Sequence, residues 1–176
     1  MTVLPIRLYG DPVLRAVAKP IARWDAPLLR LARDMEETMR AANGVGLAAP
    51  QVGETHAILV AQLPDDIERM DLITLANPEI IEEEGAATAT EGCLSIPDIE
   101  EDVERATHVR VRGLLPSGET VEIEANGYLA RVLQHEIDHL KGILYIDRIS
   151  AIRRRLLKRR LDEIKRQSEE MRDARS

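Results

Sequence analysis

His135-Glu136-Ile137-Asp138-His139 constrains this chain more than any other five residues. Around it, Leu129, Val132 or Leu133, Ile137 and Leu140 recur at helical spacing, which predicts a helix from Asn126-Gly127 to Lys141, ending at Gly142. Two histidines four apart on a helix share one face, with Cβ atoms roughly 5–6 Å apart. That spacing lets two imidazoles hold one metal ion, and Glu136 then stands beside the ion without binding it. A general base for water attack is needed at such a place. Any fold of this chain must therefore bury one side of this helix and keep the other for chemistry. The plainer reading is a pair of surface histidines on a polar helix face.

A third ligand decides between those readings, and Cys93 is the candidate. It is the only cysteine, so it forms no internal disulfide, which suits a reducing compartment and a cytoplasmic location. A lone cysteine often acts as a small buried hydrophobe. Here Gly92 precedes it and Ser95 and Pro97 follow, describing an irregular bend that can bring a thiolate up to an ion. Two histidines and one thiolate leave a fourth position open, as a catalytic site requires. An oxyanion formed there needs donors: Gln51 offers a side-chain amide and Leu94 a backbone N–H. The plainer reading of Gln51 is an ordinary loop amide. Gly44 and Gly46 do not make a phosphate loop, because no Gly-Lys-Ser/Thr follows and Leu47-Ala48-Ala49 is apolar. They suit close backbone approach to an extended peptide-like substrate. Glu91 is placed to pair with Arg131, either to support the site or as a plain salt bridge. His56 and His108 stand alone and are read as structural or exposed.

The chain has 176 residues, enough for one domain with a single core. With no Phe, one Trp and three Tyr, that core must be aliphatic. Asp25 and Pro27 start a helix whose buried stripe is Leu28, Leu31, Ala32, Met35, Met39 and Ala42, and Asn43-Gly44 stops it. His56–Gln62 reads as a strand, and 72–75 and 79–83 as two more around Asn77-Pro78. Val109 and Val111, then Val121 and Ile123, alternate with charges on either side of Pro116-Ser117-Gly118, which predicts a hairpin. A last helix follows Ser150, with Leu157, Leu161, Ile164 and Met171 as its apolar seam. The expected class is α+β, with mostly antiparallel sheets around a central metal-binding helix and a C-terminal helix. Residues 1–150 would form the catalytic unit, and 151–176 a basic helix of the same domain. No apolar run is long enough for a membrane span.

Charge is unevenly spread. Residues 148–176 carry 11 Lys and Arg against 5 acids, net +6, which leaves −13 on residues 1–147. Such a tail has a polyanionic partner or simply offsets the acidic body, and the two readings are equally open.

Three segments, in order, resemble the peptide deformylase family: Gly44–Gln51, Glu91–Ser95 and Gln134–Leu140. Tyr9–Arg15 and Leu144–Arg148 are similar to the family's flanking stretches, so the likeness runs from about residue 6 to 150. Tyr145 stands where Phe is common. The resemblance implies an enzyme that removes the formyl group from N-formyl-methionyl nascent peptides. It implies Cys93, His135 and His139 as ligands of one divalent ion, ferrous iron, which Zn²⁺, Ni²⁺ or Co²⁺ can replace. Glu136 would be the base, Gln51 and Leu94 the oxyanion donors, and Gly46 a partner of the substrate backbone. Val45, Glu91 and Val132 complete the expected substrate site. The expected protein is a monomer with neither DNA nor membrane as partner, its basic helix suited to the phosphate-rich ribosome surface. A zinc peptidase would share the His-Glu-x-x-His logic but takes His or Glu as third ligand, so Cys93 argues against it. A silent metal-binding or ribosome-associated protein would have no use for Glu136.

Overall fold

A computed structural model describes residues 2–62 and 72–175. Three α-helices, α1 (Ala26–Ala41), α2 (Gly127–Leu140) and α3 (Ala151–Asp173), combine with seven described strands. The strands are β1 (Gly46–Ala48), β2 (Ile58–Ala61), β3 (Ile73–Glu84), β4 (Ala87–Cys93), β5 (Ile96–Arg105), β6 (His108–Leu114) and β7 (Thr120–Asn126). One antiparallel sheet has the order β1-β2-β3-β6-β7, and β4 pairs with β5 in a separate hairpin. This is the α+β arrangement expected from the irregular succession of elements.

Local chemistry sets the helix ends as read. The Asp25 carboxylate accepts from the Leu28 N–H and Ser150 Oγ from the Arg153 N–H, and Asn43 takes a left-handed φ of 54° beyond α1. Strand β2 is apolar at every position because the sheet is covered on both sides. Its Ile58 and Val60 pack with Met35 and Met39 of α1, while Leu59 and Ala61 face Ala130, Leu133 and Ile137 of α2. A third cluster joins Ile99 and Val103 of β5 to Leu157, Leu161 and Ile164 of α3. Helix α2 is thus enclosed, with every residue from Ala130 to Leu140 buried.

The structure changes several expectations. The two strands foreseen around Asn77-Pro78 are one strand, β3. Its pairing with β6 shifts register between Ala76 and Glu79, where Asn77 adopts φ 50° and Pro78 offers no N–H. The β4–β5 hairpin was not foreseen as strands, because four acidic residues between Glu100 and Glu104 mask the alternation of Ile99, Val103 and the buried charges. In α3, Met171 is 39% exposed, and Ser168 closes the buried seam by donating to the Leu8 carbonyl. The charges of β6 and β7 face each other in register, Arg110 opposite Glu124 and Arg112 opposite Glu122.

Candidate metal centre and substrate cleft

Helix α2 carries His135 and His139 on the side turned toward the end of β4. Cys93 is the last residue of β4, and its Sγ lies 3.3 Å from His139 Nε2. The ligand atoms of Cys93, His135 and His139 all lie within 4.8 Å of one another. The two imidazole centroids are 5.0 Å apart. One soft anionic sulfur and two borderline nitrogens converging on one point suit a divalent transition metal, and three ligands leave an open position. His56 and His108 lie elsewhere, beside Glu54 and Asn126 respectively.

The His135 ring is held from behind, whereas buried His139 Nδ1 has no hydrogen-bond partner among the described residues. His135 Nδ1 donates to Glu91 at 2.9 Å, which turns Nε2 to the site. The Tyr145 ring stacks on His135 with centroids 6.0 Å apart, and its hydroxyl donates to the Ile99 carbonyl at 2.8 Å. Burial holds His139 well below the ordinary imidazole range, which favours the neutral form a ligand requires.

Glu91 pairs with Arg131 as expected, and Arg105 and His135 join it. It is buried, and both carboxylate oxygens are engaged with Arg105, while Arg131 and His135 share them. Burial alone would raise its pKa, but the hydrogen bonds from His135 and Arg105 win and lower it to about 2. Glu91 therefore lines the cleft as an anion that orients His135. Arg105 continues the network to Asp138 at 2.7 Å, and Arg148 grips Asp138 through two hydrogen bonds. The sequence reading missed Arg105, Asp138 and Arg148. The available signal was an arginine at an inward position of a strand, where only a buried ion pair is tolerated.

On the other side of the trio, Glu136 is buried, and its Oε2 has no hydrogen-bond partner. Burial raises its pKa to about 7. A Cβ added at Gly46 would lie 2.5 Å from Glu136 Oε1, so the glycine makes room for this carboxylate. The Ala48 N–H donates to Gln51 Oε1 at 2.8 Å. That contact fixes the amide orientation and aims Nε2 at Cys93 Sγ, 3.6 Å away, and at buried Ser95 Oγ, 3.3 Å away. Leu94 follows Cys93 in the hairpin turn, its side chain against Gly44. Gln51, Leu94 and Glu136 line a cleft of about 730 Å³ to which Val45, Gly46, Val132 and Glu100 also contribute. Among the described residues the cleft lies between two open strand edges: β1 ends the five-stranded sheet and β4 pairs only with β5.

The polypeptide deformylase family model matches residues 3–155. A peptide deformylase of Alkalilimnicola ehrlichii is 49% identical over 167 residues, covering 95% of this chain and 93% of its own. One from Halothermothrix orenii is 53% identical over 152 residues, covering 86% and 97%. The crystal structure of peptide deformylase from Thermus thermophilus superposes with a TM-score of 0.86 at 44% identity, covering 94% of this chain and 99% of that one.

Proposed function

Because the chain belongs to the polypeptide deformylase family, we propose that it hydrolyses the formyl group from the N-terminal formyl-methionine of new polypeptides, releasing formate. The observation that carries this reading is the pairing of the Cys93–His135–His139 trio with an unpartnered buried carboxylate on one cleft wall. A divalent ion held by these three side chains would act as a Lewis acid on the formyl carbonyl and make a nearby water a better nucleophile. Glu136 takes the proton of the attacking water and passes it to the departing amine, a role its raised pKa suits. Gln51 Nε2, already locked toward Cys93, and the Leu94 N–H donate to the oxygen on which negative charge develops. The peptide adds as an extended strand between the open edges of β1 and β4, with Gly46 beside its backbone and Val45 and Val132 beside the methionine. Glu91 and Tyr145 keep His135 in place. By the family resemblance the ion is ferrous iron, replaceable by Zn²⁺, Ni²⁺ or Co²⁺. Protein purified without oxygen should release formate from formyl-Met-Ala-Ser and contain one metal per chain. Metal-replete protein that leaves the peptide intact would end this reading.

We further propose a cytoplasmic monomer whose α3 docks on the ribosome surface. No described helix is long and apolar enough to cross a membrane. On α3, Arg153 is paired with Glu101 and Arg154 with Asp147, so those cations serve the fold. Arg155, Arg159 and Arg166 line a surface beside exposed Leu156, where Arg159 also meets Glu163 at 3.5 Å. Reversing these three charges leaves the Leu157–Leu161–Ile164 seam intact and should abolish salt-sensitive co-sedimentation with ribosomes. Unchanged binding across a salt series would show α3 to be a packing element only.

A further inference from the structure

A short stretch near the N-terminus, Arg7-Leu8-Tyr9, ties together the two segments that carry the proposed oxyanion donors. The Arg7 N–H donates to the Gln51 carbonyl at 2.7 Å, and the Tyr9 N–H donates to the Ser95 carbonyl at 2.8 Å. Ser95 directly follows Leu94, and its buried hydroxyl accepts from Gln51 Nε2 at 3.3 Å. An amide nitrogen carries two hydrogens. With one spent on Ser95, the other is turned toward Cys93 Sγ, 3.6 Å away, where charge would develop. The spacing of the Gln51 and Ser95 segments therefore sets where that hydrogen points, and the strap fixes this spacing through alternate N–H groups.

Helix α3 holds the strap from its other side. Alternate N–H groups of an extended segment point one way and the carbonyl between them points the other. The Leu8 carbonyl accepts from buried Ser168 Oγ at 3.1 Å and from the Asp11 N–H at 3.0 Å. Gly10, at φ 102° in the turn from Leu8 to Asp11, rests directly on α3: a Cβ there would lie 2.6 Å from Lys165 Cγ and 3.0 Å from Lys165 Cα. Leu8 and Tyr9 also pack against the cluster of Leu157, Leu161 and Ile164. Ser168 lies beyond residue 155, where the family match ends. We propose that Ser168 is a positioning residue for the hydrolysis: through Leu8 it steadies the strap, and the strap keeps Gln51 and Leu94 at the spacing that the oxyanion needs. This rests on the deformylase reading and the donor roles above.

Steady-state kinetics of the metal-loaded full chain on formyl-Met-Ala-Ser provide the test. Gln51→Ala should lower kcat about 10²–10³-fold, as loss of an oxyanion donor does. Ser168→Ala removes one neutral hydrogen bond and should lower kcat about 3–10-fold. KM should stay unchanged, because a misplaced oxyanion donor is felt only in the transition state. Ser168→Thr keeps the hydroxyl and should restore the wild-type kcat. In the Gln51→Ala background, Ser168→Ala should cost less than about twofold, since the donor it positions is already gone. Amide exchange at Arg7 and Tyr9 should be faster in Ser168→Ala than in the wild type, with metal content unchanged. A wild-type kcat in Ser168→Ala overturns this inference alone. So does a loss that Ser168→Thr fails to recover, or one of equal size with and without Gln51. A wild-type kcat in Gln51→Ala overturns the donor role and this inference with it. If the wild-type chain itself releases no formate, the deformylase reading falls as well.

Discussion

Glu136 and Asp138 sit two residues apart on α2 and are equally removed from water, at 4% and 5% exposure, yet their surroundings are opposite. The Asp138 carboxylate is gripped by Arg105 and Arg148 and belongs to a chain of pairs that ends on His135 through Glu91. Glu136 faces the cleft with one oxygen unpaired, and burial raises its pKa to about 7. A helix buried on all sides can thus be divided by polar satisfaction. The satisfied side steadies the His135 ring, and the unsatisfied side is where the proposed chemistry falls.

Glu136→Gln tests the unsatisfied side and should have the largest effect. Turnover should fall by about 10²–10⁴, because an amide cannot take a proton from water. Metal content and melting temperature should stay at wild-type levels, since no hydrogen bond to Oε2 is lost. A glutamine variant that still turned over at the wild-type rate would remove the base assignment.

Asp138→Asn tests the satisfied side, and the loss should appear in stability. Neutralising one partner of a buried ionic network costs about 3 kcal/mol or more, because Arg105 is left poorly compensated. Chemical denaturation should read that loss, while the folded variant retains far more activity than Glu136→Gln. Wild-type stability with abolished turnover would reverse the contrast between the two carboxylates.

Gly46→Ala crowds the unsatisfied side from the opposite wall, since the new methyl meets Glu136 Oε1, Cγ and Cδ at 2.5–2.9 Å. Displacing the carboxylate by a fraction of an ångström to an ångström should slow turnover about 10–100-fold with metal retained. Unaltered kinetics would mean that Glu136 tolerates movement and that its placement is less exact than the packing implies.

The smallest effect concerns Asp147, beyond the network and outside the cleft. Burial works against its ionisation, but Arg15, the Leu144 N–H and Arg154 together hold its pKa below the ordinary carboxylate value. A depressed pKa gives stability that is complete above the ordinary range, about pH 4, and is lost as pH falls through the lowered value. Asp147→Asn should therefore cost about 0.5–1 kcal/mol at pH 7, and the gap in melting temperature should close on acidification. A gap that does not change with pH would assign the loss to packing rather than charge.

The sequence by itself determined what depends on neighbours close along the chain. Helical spacing put His135 and His139 on one face, Asp25 and Ser150 declared helix starts, and the apolar run Ile58–Ala61 declared a strand. Cys93 was legible as the candidate third ligand because its flanking residues and the family motifs pointed the same way, and the structure brings it to the two histidines. Only the tertiary structure decided pairings between distant segments. It brought Glu91 to His135 across 44 positions and Arg105 to Asp138 across 33. It also merged the residues around Asn77-Pro78 into one bulged strand. Local periodicity reports which side of an element is apolar, whereas a buried charge reports only that it has some partner. Which partner it finds is fixed when the layers pack, and in this protein that packing separates the carboxylates that hold the site from the one left free to act.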